Sequence, residues 1–315
     1  MIRYILRRSV TLIITLIVTS IIIFALTQLL PGDVAKLVLG RDASDVAVQN
    51  FNEEFELNQG ITAQYFNWFT GFITGDWGRS FAAGNPPVRP LVLDRLSNSL
   101  LLAGYTLLIA IPLSIVLGIF AALNENTWVD NVISVVSLGV VGLPEFVTGI
   151  VLINVFALQL GWFDTTSLVQ EGYTLIDWLR VLTLPAITAS LVLVGYVARM
   201  TRAGMLEELK KSYVRTAILK GLPRRVVILK HVLRNALLPT ITIIAISIGW
   251  LMGGIVVIEN VFNYPGLGTT LVDAVERKNI PVLQTVSVII VFIFAFSNLV
   301  ADLLYAFLNP RVRLT

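Results

Sequence analysis

Residues 204–239 read GMLEELKKSYVRTAILKGLPRRVVILKHVLRNALLP, and this stretch decides how the rest of the chain is arranged. It is the one long polar interruption in an apolar C-terminal half. From Arg199 to Arg234 there are ten basic residues against two acids, Glu207 and Glu208. At about 100° per residue, Met205, Leu206, Leu209, Tyr213 and Ala217 share one face, with Glu208, Lys211 and Arg215 opposite. An amphipathic helix is therefore expected over the first part. Gly221 supplies its stop, and Pro223 lies where a second helix begins. A short helix with one apolar face, set between membrane spans, suits a lipid surface or a groove in a partner.

The composition says why membrane spans are expected at all. The chain has 315 residues, 56% of them hydrophobic and 14% charged, a balance that excludes an ordinary soluble domain. Crossing the hydrocarbon takes about 20 apolar residues in a helix. Six such runs occur, so the expected fold is all-α and polytopic, with six transmembrane helices. The absence of cysteine removes disulfides, thiolate metal sites and cysteine nucleophiles.

The chain opens MIRYILRRSV, with Arg3, Arg7 and Arg8 ahead of an apolar run over about 9–30. A signal peptide also begins with positive charge. This run is longer than the usual h-region of roughly 7–15 residues, and no small-x-small cleavage site follows, so it reads as an uncleaved first span. A polar segment follows over 31–98, carrying Tyr65, Trp68 and Phe72 at helical spacing and a turn at Gly84-Asn85-Pro86-Pro87. It reads as a small extracytoplasmic insertion, or as a helix resting at the headgroups. Later spans are expected at about 99–123, 132–160, 181–198, 237–258 and 280–308. The third of the six is read as one helix that contains Pro144 and Glu145. The whole is read as one permease-like domain, 1–315, with a cytoplasmic loop at 199–236.

Charge placement supports that order. Fifteen of the 23 basic residues fall on segments that lie inside if the N-terminus does, and the short outer loops hold only Arg180, Arg277 and Lys278. Both termini are therefore expected in the cytoplasm. There is no phosphate loop, no H-E-x-x-H and no G-x-S-x-G, so no ATP site, metalloprotease or serine hydrolase is indicated. His231 is the only histidine, and among cations it is a poor metal ligand, read as a surface residue. No nucleic-acid site is indicated, since the aromatic stretch at 61–73 has no basic residue interleaved. Gly249 and Gly253 form a G-x-x-x-G spacing that permits close helix approach.

Tyr213-Val214-Arg215-Thr216-Ala217, followed by Gly221, resembles the "EAA" loop of permease subunits in bacterial ABC importers. The resemblance is to the dipeptide/oligopeptide/nickel branch. It continues through His231-Val232-Leu233-Arg234-Asn235-Ala236-Leu237-Leu238-Pro239, the run Glu259 to Gly268, and Asn298-Leu299 to Asp302-Leu303. It extends to Asn309-Pro310-Arg311-Val312-Arg313 at one end and to Leu30-Pro31-Gly32-Asp33 and Gly75-Asp76-Trp77-Gly78-Arg79-Ser80 near the other. The last two fit the first permease of the pair in such systems. Arg215-Thr216-Ala217 stands where the general pattern has Glu-Ala-Ala. Glu145 occupies a place where a small or neutral polar residue is expected.

The resemblance implies a type I importer permease fold in the bacterial inner membrane. It implies as partners a paralogous permease, two ATPase subunits and an extracytoplasmic substrate-binding protein. This chain would hold no cofactor, ATP and its magnesium being bound by the ATPases, and would catalyse nothing itself. Leu209, Tyr213, Arg215, Thr216, Ala217 and Gly221 would couple it to them, on a helix expected at Met205–Lys220. Glu145, Glu259, Pro265, Gly266 and Gly268 would shape the pathway or its outer end, with Glu145 expected roughly 20 Å into a continuous third span. Peptides are the expected cargo, with nickel, metal chelates or other small solutes as alternatives. A secondary transporter would show internal repeats, which are not found; a membrane enzyme would need a cluster of His or acids at one face; and a channel would need a filter segment.

Overall fold

The computed structural model describes residues 2–29, 34–40, 42–82, 84–168 and 172–308. The sequence features at 30–33 and 309–313 lie outside these. Among the described residues there are thirteen α-helical segments and no strand, with a single isolated bridge pairing Arg79 and Pro87. Five helices are long and apolar enough to cross a membrane: α1 (Ile2–Gln28), α5 (Val88–Leu123), α8 (Leu175–Leu209), the run ending in α11 (Leu233–Val261), and α13 (Ile280–Leu308). A bent pair, α6 (Trp128–Gly142) and α7 (Glu145–Leu152, prolonged by a π-helical turn at Ile153–Gln159), supplies a sixth crossing if counted as one.

That bent pair corrects the expectation of a continuous third span. The helices on either side of Leu143 meet at 108°. Proline disfavours the helical region for the residue before it, and Leu143 is extended, with φ −91° and ψ 136°. Pro144 caps α7 instead of kinking one helix, its carbonyl accepting from Val147 and Thr148. Pro112, Pro185 and Pro239 behave differently and stay inside α5, α8 and α11.

The contacts of the chain divide it into two compact units. One takes in Leu101–Tyr264 with Phe296 onward and the first residues of α1; the other takes in Leu6–Leu100 with Pro265–Ala295. In the first unit α8 is the central helix. Of its most apolar window 78% is buried, against 33% or less in the other four long helices. It packs against α6, α7 and α11. Close approach is set by Gly195, whose Cβ position lies 2.7 Å from Ser137 O, and Gly204, 2.5 Å from Ala236 O. At the Gly249 and Gly253 spacing α13 approaches closely at one glycine only: the Cβ position of Gly249 lies 3.2 Å from Asn298 Oδ1, while Gly253 faces nothing within 4 Å.

In the second unit, short helices α2 (Val34–Leu39), α3 (Asp45–Glu54) and α4 (Ile61–Thr74) fill the segment after α1. Phe51, Phe55 and Phe81 form an aromatic cluster. On α4, Tyr65 and Trp68 pack on Phe24 of α1, and the Tyr65 hydroxyl lies 2.9 Å from Ser20 Oγ. The motif at 75–80 turns twice through left-handed glycines, Gly75 and Gly78. Ser80 then receives the amide of Asn279, and Phe81 N donates to Asn279 Oδ1. The second span starts at Val88 instead of near Ser99, because Asp94 and Arg95 are polar without breaking the helix: Asp94 is exposed, and half-buried Arg95 donates to Pro265 O at 3.4 Å.

Candidate functional site

The basic stretch folds as an elbow, not as the single helix expected over Met205–Lys220. Helix α8 runs on to Leu209, Lys210 caps it, and α9 (Ser212–Leu219) starts after extended Lys211. The reason is Glu208. A helical wheel puts it on the polar face, yet it is buried. Its carboxylate receives the Tyr213 hydroxyl at 2.7 Å and the Lys211 ammonium, both from beyond the end of α8. Two groups can close on one carboxylate in this way only if the chain turns between them. That pairing pushes the Lys211 ammonium above its usual range. Burial, with the Glu208 contact adding to it, raises the Tyr213 phenol.

The apolar face expected to meet a partner points largely inward. Met205 and Val214 are buried with Val227, Val232 and Ala236, and Leu206, Leu209, Tyr213 and Ala217 pack partly against them. Of the expected coupling residues, Leu209, Tyr213 and Ala217 thus sit in one core, while Arg215, Thr216 and Gly221 are exposed. What α9 presents outward is Ile218, Leu219 and, past its end, Leu222, with exposures of 49%, 78% and 39%.

Helix α9 ends on Gly221 at φ +84°. Gly221 N donates to Ile218 O at 2.9 Å and Leu222 N to Ala217 O at 3.3 Å, the paired bonds of a Schellman cap. Pro223 then caps Arg224–Val226 (α10), which continues through a π-helical stretch, Val227–Val232, into α11.

Two ion pairs tie the first turn of α6 and the link before it to α8 and its cap. Arg202 grips Asp130 through Nε at 2.5 Å and a terminal amine at 2.6 Å, and Asp130 also accepts from Asn126 N and Ser134 Oγ. Lys210 reaches Glu125 at 3.3 Å. Neither pair was indicated by local pattern, since the partners lie 72 and 85 residues apart.

The expected pathway residues divide between the two units. Glu145 opens α7 and is half-buried, its carboxylate against Gly254 of α11. Its position at a break removes the expected placement 20 Å along one straight span. Glu259 is buried in the last turn of α11, not in an outer loop. Tyr264 is buried beyond it, and burial together with the Glu259 charge holds its phenol well above the usual range. In the other unit, Gly266 caps α12 (Leu267–Glu276), and Gly266 and Gly268 are buried. Pro265 O accepts from Asn98 Nδ2 at 2.8 Å, and Leu267 N donates to Ser99 Oγ at 2.8 Å. Asn98 and Ser99 carried no signal in the sequence.

Long apolar helices, a span broken at a proline and a cationic elbow between crossings define a polytopic membrane transport subunit. The chain belongs to the binding-protein-dependent transport permeases. Residues 114–314 match the family described as binding-protein-dependent transport system inner membrane component, and residues 1–102 match the N-terminal component of such systems. The chain is 36% identical over 315 residues to a probable peptide ABC transporter permease of Sinorhizobium fredii, covering 98% of this chain and 99% of the relative. It is 34% identical over 313 residues to the glutathione transport system permease GsiC of Escherichia coli, and 33% to that of Pectobacterium atrosepticum, each with 99% of both chains covered. It is thus an all-α, multi-pass permease of the ABC importer class.

Proposed function

We propose that this permease passes peptides, or small peptide-like solutes such as glutathione, across the bacterial inner membrane with both its termini in the cytoplasm. It acts beside a paralogous permease, takes cargo from an external binding protein, and is driven by two ATPase subunits that bind ATP and magnesium. The substrate reading rests on the relatives, which are similar over their whole length and are named for peptide and glutathione transport. A metal-chelate cargo is the second reading within the same class.

The observation that carries the coupling reading is the apolar tip of α9. Ile218, Leu219 and Leu222 are exposed beside Arg215 and Thr216, while the rest of the elbow is anchored in a core. An anchored helix with a free apolar tip transmits movement, because the core forces it to move with α8 and α11. Seated in an ATPase groove, it converts ATPase closure into a tilt of the spans, giving alternating access by differential binding.

The test uses the assembled transporter. Leu219→Ser removes exposed apolar surface and no internal contact, so the permease inserts normally while ATPase co-purification and labelled dipeptide uptake fall. Full ATPase recovery with undiminished uptake would sink the docking assignment. For orientation, a cysteine at Lys210 should be labelled only from the cytoplasm and one at Asn58 only from outside; labelling from the same side overturns it.

A further inference from the structure

Beside the elbow, Tyr213, Lys230, His231, Arg234, Asn235 and Leu238 line an open cavity of about 450 Å³. Its geometry comes from the π-helical stretch Val227–Val232. With five-residue spacing, Val227 and Val232 both face the core and are buried, which leaves Leu229, Lys230 and His231 outward. Lys230, Arg234 and Leu238 then follow at four-residue intervals along one side, with His231 and Asn235 alongside. π-Helical turns are rare and recur at functional sites.

The cavity carries Lys230 and Arg234, and among the described residues no carboxylate pairs with Lys230, His231 or Arg234. The one acid beside it, Glu208, is taken up by Lys211, Tyr213 and Asn235. The cavity also lies where the helix changes character. Below Arg234 the run is basic; from Leu237 onward it is apolar for most of a span. Leu238 closes the cavity on the apolar side and is exposed, as is Leu229. Cations grouped beside exposed aliphatic carbons at the boundary of a span match a phosphate joined to acyl chains.

We propose that this cavity binds the phosphate of an anionic phospholipid from the cytoplasmic leaflet, with Lys230 and Arg234 on the phosphate oxygens, His231 as a further donor, and the acyl chains along Leu238. The proposal rests on the reading that the 199–236 loop faces the cytoplasm, where anionic headgroups attract juxtamembrane cations. A lipid held there braces α11 against α9, on the segment that transmits movement from the ATPases.

The test is native mass spectrometry of the intact transporter from nanodiscs containing phosphatidylglycerol or phosphatidylcholine. Wild type should retain phosphatidylglycerol preferentially, and Lys230→Gln/Arg234→Gln should lower that retention by about tenfold or more. Lys230→Arg/Arg234→Lys should keep it, and millimolar inorganic phosphate should not replace it. Equal retention of both lipids by wild type, or unchanged phosphatidylglycerol retention in the Gln variant, overturns the proposal. Displacement by inorganic phosphate alone would show a free-anion site instead. Loss of ATPase subunits from the Gln variant with lipid retention unchanged would show an acidic partner segment in the cavity. Leu219→Ser should leave lipid retention intact, which separates failure of this site from failure of the coupling assignment.

Discussion

The carboxylate of Glu145 rests against bare backbone at Gly254: a Cβ there would lie 2.7 Å from Oε2 and 3.1 Å from Oε1. The contact joins the start of α7, just after the broken turn at Leu143, to the C-terminal third of α11. An acid in a membrane-spanning segment is expected to face the protein interior or water. Here a glycine makes room for it.

Gly254→Ala therefore tests Glu145 without removing it. The obstructing atoms are the far end of a flexible side chain, so the carboxylate swings aside at small cost, and alanine in a helix recovers up to about 1 kcal/mol. Stability of the purified transporter should be unchanged or slightly raised while uptake of cationic dipeptides falls. Glu145→Gln should give the same loss for cationic cargo and spare neutral cargo. Equal uptake of both cargoes by all three proteins would leave Glu145 as a packing residue.

Glycines that face backbone should behave otherwise. A methyl at Gly204 would lie 2.5 Å from Ala236 O, and α8 and α11 would have to separate. Overpacking of this kind costs about 1–3 kcal/mol, so Gly204→Ala should lower the melting temperature of the complex. Gly253→Ala, with nothing within 4 Å, should match wild type or exceed it. Similar melting of the two variants would contradict this packing of α8 on α11.

The Asp130–Arg202 pair makes a separate prediction. Asp130 has 3% of its side chain exposed and Arg202 29%. Removing one partner of a buried pair costs about 3–5 kcal/mol; the open side of Arg202 places the loss near the lower end. Asp130→Ala and Arg202→Ala should each destabilise the complex, and the double variant should recover part of the loss, with a coupling of about 0.5–3 kcal/mol. Strict additivity in denaturant unfolding would mean that the two charges act independently.

How much of this was legible depended on range along the chain. Gly221 and Pro223 announced the end of α9 and the start of α10 because caps are local chemistry. The apolar runs announced the spans for the same reason, since a run of about 20 residues needs no partner to be recognised. Pro144 was ambiguous: Pro112, Pro185 and Pro239 sit in similar apolar runs and stay helical, whereas Leu143, the exposed residue before Pro144, is extended. Glu208 was misread because a wheel assumes one straight helix, whereas its burial requires Tyr213 and Lys211 to fold back. Asp130 and Arg202 meet across 72 residues, beyond any periodicity. The Gly249 and Gly253 spacing told that a helix could approach there and not which glycine it would meet: Gly249 takes Asn298, and Gly253 takes nothing within 4 Å.

The cap at Gly221 gives the last prediction. Gly221 holds φ +84° with open space around its Cβ position, so a substitution meets conformational cost alone. Left-handed backbone costs an ordinary residue about 1–2 kcal/mol, and asparagine is one of the few that visits it. If coupling depends on the cap, which sets the direction in which Leu222 leaves α9, Gly221→Asn should transport nearly as well as wild type. Gly221→Ala should then do worse, and Gly221→Leu should abolish uptake while the protein stays inserted. If small size at a partner contact is what matters, the order reverses and alanine outperforms the larger asparagine. Ala217→Leu is expected to block transport too, but Ala217 packs against the core of the elbow, so that variant mixes overpacking with coupling. Measuring uptake per ATP hydrolysed across the Gly221 series decides between the two orders, and uniform values across glycine, asparagine, alanine and leucine would remove Gly221 from the coupling machinery.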